Sequence, residues 1–363
     1  MATGWPMKTT YANGDVYSAS DVNDITGTIN LLTSSTLSSS AGKNFVINGG
    51  MDIWQRGTSF AVSTGTYTAD RWQGYRSVAG STISRQTTSD TTNLPSIQYC
   101  ARVQRDSGNT STAAINLGQS FESVNSIPLA GKTVVLSFYA RRGANYSSAS
   151  NALKVQLYAG TGTDQNVLTA GYTGSTLGID QTATLTTTWQ RFSYSVTIGV
   201  SYTELGVIFV NTPVGTAGAA DYFEVTGVQL ELGSTATTFS RAGGNIASEL
   251  AACQRYYFLQ ATGNSKVIGT GTYYSSSNVY CTLQFPVTMR TAPTIDQVTG
   301  TSVYVVVSAG GGADLLNSLT IDGSSPQSVS LYNNTQAAGT AGQGCWFITA
   351  ASSTPYLAFS AEL

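Results

Sequence analysis

The residues best suited to catalysis are two aspartates, Asp52 and Asp70, with Arg56 and Arg71 close to them in sequence. Two carboxylates suffice in principle for glycoside hydrolysis, one as acid and the other as base or nucleophile. Asp70 and Arg71 stand directly before Trp72, a setting more typical of a structural ion pair. The spacing in sequence fixes no distance between the carboxylates. We therefore expect a structural role for these residues and no catalytic residue.

The chain has 363 residues and no histidine. This absence excludes Ser-His-Asp and Cys-His nucleophile pairs, histidine zinc sites and the usual acid–base group near neutral pH. Any catalysis would rest on carboxylates, tyrosine, lysine or cysteine. The composition therefore favours a binding or structural protein over an enzyme, and we expect no cofactor.

The surface must be largely uncharged, because charged residues make up 10% of the chain against about 25% in ordinary soluble domains. The 17 basic and 19 acidic residues give a formal net charge of −2. Nucleic acid and anionic membranes attract concentrated Lys and Arg, so neither is an expected partner. Hydrophobic residues reach 41%, enough for a real core. Ser, Thr, Asn, Gln and Gly must then cover the outside, which suits a β-rich protein.

Cysteine usage and the N-terminal residues favour a protein made in a reducing cytosol. Cys100, Cys253, Cys281 and Cys345 are too far apart for a CxxC pair. The first ten residues lack the basic and apolar regions of a secretory signal. We expect four free, buried thiols. No apolar run approaches the ~18–20 residues of a membrane span.

No metal site is expected. Asp164, Asp180 and Asp221 fall in predicted loops and are candidates for a calcium site, but calcium needs roughly six to eight oxygens and no EF-hand-like spacing is present. The triple glycine 310–312 is not a phosphate loop, because no Lys-Ser/Thr follows at the required position.

Aromatic side chains are the natural glycan platform for a weakly charged protein, since their faces stack on sugar rings. The candidates are Trp54, Trp72, Tyr75, Tyr273 and Tyr274. The alternative for Trp54 and Trp72 is the core of the fold, which we favour for both. Tyr75 and the pair Tyr273–Tyr274 are the better candidates for exposure, because three serines follow the pair as an evident loop.

The chain divides into four predicted segments: an N-terminal anchor and linker at 1–43, a β-sandwich at 44–241, a connecting helix at 242–260 and a smaller β-domain at 261–363. In the first, apolar residues recur at spacings of three, four and three, which predicts a short helical stripe; they are Val22, Ile25, Ile29 and Leu32. A stripe this short needs a partner. It either closes a three-helix contact between copies or caps its own subunit.

Alternating apolar and polar residues predict many short strands separated by Gly, Asn and Ser clusters, the pattern of a jelly-roll β-sandwich. The clearest strands are 133–139, 190–199, 205–210 and 222–232. A helix is predicted over 245–259, where Ile246, Leu250, Cys253 and Tyr257 share one stripe. Further strands are predicted near 279–285, 303–307, 328–332 and 346–350. The predicted fold class is mostly β.

Several blocks of the sequence resemble, in the same order, a family of bacteriophage virion proteins, the tail-fibre-like and capsid-fibre-like proteins with a carbohydrate-binding-module-like jelly roll. The blocks are NFVINGGMDIWQRG (44–57), YTADRW (67–72), GKTVVLSFYAR (131–141), TWQRF (188–192), VTGVQLELG (225–233), ACQRYY (252–257), FPVTMRTAP (285–293) and AEL (361–363). Together they cover most of the chain from residue 44 onward, whereas the anchor segment matches least.

The resemblance implies a structural virion protein, usually a homotrimer, made in the host cytoplasm, attached to the particle by its N-terminus and carrying its β-domains outward. The favoured function is a tail fibre that contacts host surface polysaccharide without turnover. The alternatives are a capsid decoration or head-fibre protein and, from another class, a carboxylate-based polysaccharide depolymerase. The resemblance leaves open whether the protein sits on the tail or the capsid.

Overall fold

A computed structural model describes residues 42–351 and 354–363. The predicted trimer and anchor residues Val22, Ile25, Ile29 and Leu32 lie outside these residues, so the helical stripe and the homotrimer stay predictions. The four predicted segment boundaries likewise stay predictions.

Two six-stranded antiparallel sheets form a jelly-roll β-sandwich, which confirms the predicted mostly-β fold class. Sheet A has the strand order β1-β4-β5-β12-β7-β10, with β1 Ser59–Ala61, β4 Ser81–Thr87, β5 Tyr99–Arg105, β12 Tyr222–Leu232, β7 Thr133–Arg142 and β10 Gln190–Thr197. Sheet B has the order β2-β3-β6-β11-β8-β9, with β2 Thr64–Tyr67, β3 Gln73–Tyr75, β6 Ile115–Ser120, β11 Glu204–Asn211, β8 Ala152–Gly160 and β9 Thr176–Thr184.

The first core fills the space between sheets A and B, because successive strand residues point to opposite faces and the apolar ones point inward. Phe138 of sheet A packs edge-on against Phe209 of sheet B, with ring centroids 4.9 Å apart. The Trp72 ring also stacks on the Phe209 ring, with centroids 6.2 Å apart. The four clearest predicted strands correspond to β7, β10, β11 and β12, so the period-2 pattern located them correctly.

Two further antiparallel sheets share a second core in the C-terminal part. Sheet C has the order β13-β22-β16, with β13 Tyr257–Thr262, β22 Tyr356–Ser360 and β16 Thr294–Gln297. Sheet D has the order β18-β17-β21-β14-β15-β20-β19, with β18 Ala313–Leu316, β17 Tyr304–Ser308, β21 Gly344–Thr349, β14 Val267–Tyr273, β15 Val279–Gln284, β20 Ser328–Asn333 and β19 Thr320–Ser324. Phe285 contacts Phe258 and Phe359 of sheet C edge-on, at 6.1 and 5.2 Å.

The described helices are short: α1 (Ser123–Ser126), α2 (Ile246–Gln254) and two single 3₁₀ turns, Ile127–Leu129 and Ala149–Asn151. The side chain of Asn245 accepts a hydrogen bond from the Ser248 amide at 3.0 Å and so caps α2. The predicted helix 245–259 was too long. Tyr257, placed on its apolar stripe, is the first residue of β13, where it pairs with Ser360.

Charged and aromatic contacts join the sandwich to the C-terminal part. Arg71 and Arg56 both pair with Glu362, and the guanidinium of Arg56 lies 3.5 Å from the centroid of the Tyr257 ring. Arg255 donates two hydrogen bonds of 2.9 Å to Glu122. The buried Arg71 and the partly buried Arg56 thus hold the Glu362 carboxylate against the sandwich.

The four cysteines are free and buried, as predicted. Burial raises the pKa of Cys281 to about 12 and that of Cys345 to about 11. In the described part of the chain, no helix is both long and apolar enough to cross a membrane.

Candidate functional site

The two candidate carboxylates, Asp70 and Asp52, make separate structural contacts. Asp70 is fully buried, and it accepts hydrogen bonds from the backbone amide of Gln55, at 2.9 Å, and from its side-chain amide. Burial raises the pKa of Asp70, against the opposing effects of Arg56 and Gln55. Asp52 pairs instead with Arg241 at 2.8 Å. Each carboxylate thus has its own structural partners.

Asn48 is the centre of the first recognisable block. Its Nδ2 donates to the carbonyl oxygens of Ile53 (2.8 Å) and Asp70 (3.0 Å), and its Oδ1 accepts from the amides of Asp52 (2.9 Å) and Ile53 (3.0 Å). Its own carbonyl accepts the indole N–H of Trp72 at 3.0 Å. The blocks 44–57 and 67–72 therefore meet at one buried side chain.

Trp54 and Trp72 are not available as glycan platforms, which corrects their place among the candidates. Trp72 is fully buried, and Trp54 is 8% exposed. The indole N–H of Trp54 donates to the Met51 carbonyl at 2.8 Å, and the Trp54 ring stacks on Phe60. Both rings fill the sandwich core, because each buries a large apolar surface and finds a backbone acceptor for its N–H.

The predicted pair Tyr273–Tyr274 is split between the two faces of sheet D. Tyr273 is 2% exposed, and its hydroxyl donates to Asp314 at 2.6 Å, so its predicted exposure was wrong. Tyr274 is 77% exposed. Side chains alternate between faces along a strand, so two consecutive tyrosines at its end cannot both face solvent.

Tyr274 belongs to a row of aromatic and hydroxyl side chains on the outer face of sheet D. Tyr280 lies directly opposite Thr272 on one side and Tyr332 on the other, and Thr320 lies opposite Tyr332. The row crosses four strands, or roughly 14 Å at the usual strand spacing. The Tyr280 and Tyr332 rings stack with centroids 5.7 Å apart, and Tyr274 meets Tyr280 edge-on at 5.9 Å.

Trp346 extends the same face. It is 45% exposed and lies opposite Thr270 of β14, two residues from Thr272. We call the surface made by these side chains the tyrosine face; its members are Thr270, Thr272, Tyr274, Tyr280, Thr282, Thr320, Ser330, Tyr332 and Trp346. The four strands that supply most of it, β14, β15, β20 and β21, contain no charged residue. β19, which supplies Thr320, also carries the exposed Asp322. The surface offers mainly aromatic faces and hydroxyl groups to a ligand.

The strands of sheet D position these side chains by burying every alternate residue. Val279, Cys281 and Leu283 of β15 point into the second core, which turns Tyr280 and Thr282 outward. The predicted strands near 279–285, 328–332 and 346–350 correspond to β15, β20 and β21, whereas β14 was not predicted. Tyr280, Tyr332 and Trp346 were not singled out. The signal was present, since each of these aromatic residues stands between two residues that face the core.

Tyr75 lies elsewhere, on the outer face of sheet B. It is half-buried at the end of β3 and lies directly opposite Asn116 of β6. It therefore does not join Tyr274, and the structure does not bring the predicted glycan residues together as one site.

The aspartates weighed for calcium have other partners. Asp221 forms a fully buried ion pair with Arg105 at 2.8 Å, Asp180 pairs with Lys154 at 2.9 Å, and Asp164 lies 3.5 Å from Arg290. Across residues 42–351 and 354–363, no group of three or more Cys, Asp or Glu side chains is placed to hold a metal ion.

Sequence comparisons give no assignment for the chain. No protein-family model matches the sequence, and no curated protein matches it at a significant level.

Solved structures give weak similarities. One is the enzymatically active domain of tailspike protein 4 of bacteriophage CBA120, at 14% identity and a TM-score of 0.32; the match covers 52% of this chain and 21% of that one. The CBM22-1 xylan-binding domain of Paenibacillus barcinonensis Xyn10C matches at 12% identity and a TM-score of 0.32, over 54% of this chain and 99% of that one.

The tandem CBM22-1–CBM22-2 domain of the same Xyn10C matches at 11% identity and a TM-score of 0.32, over 90% of this chain and 99% of that one. This chain thus spans about a fifth of the tailspike chain and nearly all of the tandem module. At these identities and TM-scores the similarities carry no argument about ligand or activity, and the fold assignment rests on the sheet topology.

Proposed function

We propose that the protein is a structural protein of a bacteriophage virion that binds host surface polysaccharide through the tyrosine face, without cleaving it. The observation that carries the glycan-binding role is the tyrosine face itself: three tyrosines and a tryptophan share an open sheet surface of low charge with five hydroxyl side chains. Sugar rings present apolar C–H faces and hydroxyl edges, which such a surface complements.

The virion role is supported by the ordered blocks that resemble phage fibre proteins. Two of those blocks meet at Asn48, within the sandwich. In this proposal the N-terminal segment attaches to the particle, three copies assemble, and weak contacts at each copy add up through avidity. Binding without turnover is supported by Asp52 and Asp70, whose carboxylates are each engaged in separate structural contacts.

The test of glycan binding is native affinity electrophoresis through gels that contain galactan, mannan, arabinoxylan or dextran. We expect retardation in at least one gel, and a loss of about 5–30-fold in affinity for Tyr280→Ala and for Trp346→Ala, from the loss of about 1–2 kcal/mol of stacking and burial. Tyr75→Ala is the matched control, because it removes a partly exposed tyrosine from a different sheet.

Two results would contradict the proposal. One is free migration of the protein in every gel, and the other is equal retardation of wild type, Tyr280→Ala and Trp346→Ala. Release of new reducing ends from a retarding polysaccharide would favour the depolymerase. Immunogold labelling of virions separates the remaining alternatives, since tail labelling supports a fibre and capsid labelling supports a decoration protein.

A further inference from the structure

A straight row of polar side chains crosses the outer face of sheet A. Ser84, Arg102, Glu224 and Arg141 lie directly opposite one another on the neighbouring strands β4, β5, β12 and β7. At the usual strand spacing, the two arginines are about 10 Å apart at their α-carbons with Glu224 between them.

Glu224 holds both arginines in fixed positions. Its side chain is fully buried, and its Oε1 accepts hydrogen bonds from Nε and Nη2 of Arg102, at 2.8 and 2.6 Å. Its Oε2 accepts from Nε of Arg141 at 2.5 Å. Aromatic rings complete the support: the Arg102 guanidinium lies 4.0 Å from the Tyr222 ring centroid, and the Arg141 guanidinium lies 4.8 Å from that of Trp189.

The row presents more donors than its one carboxylate can use. Each guanidinium has five N–H donors. Within the described part of the chain, Arg102 leaves three of them without an acceptor and Arg141 leaves four. The side chains remain 24% and 23% exposed. One buried carboxylate between two arginines leaves one positive charge in excess, at a place where solvent and ligands reach it.

A further acidic group near the row is Asp90, on the loop after β4. It interacts electrostatically with Arg141, but its carboxylate already accepts hydrogen bonds from the amides of Thr92 and Asn93 and from the Asn93 side chain. Asp90 therefore does not take up the free arginine donors.

From this geometry we propose a second carbohydrate site on sheet A, which binds the carboxylate of a uronic acid residue in a polysaccharide. A planar carboxylate matches the fork of a guanidinium, and arginines already fixed by Glu224 lose little side-chain freedom on binding. Ser84 and Gln104, beside Arg102 and Tyr222, supply polar contacts for the sugar hydroxyls. The site is separate from the tyrosine face, which suits neutral sugars.

The test is titration calorimetry with polygalacturonate and with its methyl ester, the same backbone without the charge, in 25 mM salt. We expect the ester to bind at least tenfold more weakly. Ser84→Glu places a carboxylate opposite Arg102 and should weaken polygalacturonate binding at least tenfold by occupying its donors. Ser195→Glu is the matched control, because it adds the same charge to an exposed position on the same face, and it should change the affinity less than twofold.

Arg141→Lys is a second variant that keeps the charge and loses the fork, and it should bind several-fold more weakly. The proposal is overturned if polygalacturonate does not bind, if the ester binds equally well, or if Ser84→Glu binds like wild type. A variant with both Tyr280→Ala and Trp346→Ala should keep its affinity for polygalacturonate, so failure at one surface is distinguished from failure at the other.

Discussion

Replacing Asn48 by alanine tests whether the hydrogen-bonded centre of the first block specifies the sandwich. The substitution removes four side-chain hydrogen bonds. The Ile53 carbonyl keeps a partner, the Asp70 amide at 3.0 Å. The Asp70 carbonyl and the amides of Asp52 and Ile53 lose the partner that the structure shows for them.

The expected cost follows from these three groups and the backbone. Leaving the buried Asp70 carbonyl without a hydrogen-bond partner costs about 1–3 kcal/mol of stability, and leaving the half-buried amides of Asp52 and Ile53 without one costs about 0.5–1.5 kcal/mol each. Asn48 has a φ of 56°, in the left-handed region, where alanine costs about 1–2 kcal/mol more. The free energy of unfolding should therefore fall by about 3–8 kcal/mol, a large part of the roughly 5–15 kcal/mol of an ordinary domain.

The assay is guanidinium unfolding followed by tryptophan fluorescence, since Trp54 and Trp72 lie beside Asn48. Asn48→Gly tolerates the left-handed backbone and should lose only the hydrogen-bond contribution, about 2–6 kcal/mol. Asn151 has a φ of 55° and makes no side-chain hydrogen bond with the described residues, so Asn151→Ala measures the backbone contribution alone. The reasoning is refuted if Asn48→Ala destabilises the protein no more than Asn151→Ala.

Two further predictions concern packing and thiol chemistry. A Cβ at Gly206 would lie 2.7 Å from the Tyr172 hydroxyl and 3.0 Å from Val167. Gly206→Ala should therefore displace the 161–175 loop and lower the free energy of unfolding by about 1–3 kcal/mol. Unchanged hydrogen exchange in that loop would contradict this prediction. The thiolate is the reactive form of cysteine, and burial raises the pKa of Cys281 to about 12 and that of Cys345 to about 11. At pH 8 the native protein should therefore show no thiol that reacts fast with a disulfide reagent, whereas the denatured protein should show four. A fast-reacting thiol in the native protein would contradict this prediction.

Part of the fold could be predicted from the sequence because several strands bury one face only, so that hydrophobic alternation has a clear period of two. The strands at 190–197 and 279–284 were found in this way. The end of α2 was missed because Tyr257 continues the helical spacing, whereas its backbone pairs with β22. That pairing joins residues about a hundred positions apart, and no local pattern reports it.

The sequence predicted the type of surface at the candidate site but not most of the residues that form it. Uncharged composition indicated an aromatic and hydroxyl surface, and Tyr274 was correctly placed in solvent. Tyr280, Tyr332 and Trp346 join it through the pairing of β14, β15, β20 and β21. The arginine row on sheet A depends in the same way on register, because Arg102, Glu224 and Arg141 are neighbours only across strands.

The most direct test of the central claim is the structure of the protein with an oligosaccharide from whichever neutral polysaccharide retards it. The account predicts a sugar ring stacked on Tyr280 or Trp346, with its hydroxyls bonded to the threonines of β14 and β15. A sugar seated away from sheet D, with the tyrosine face in contact only with solvent, would contradict it.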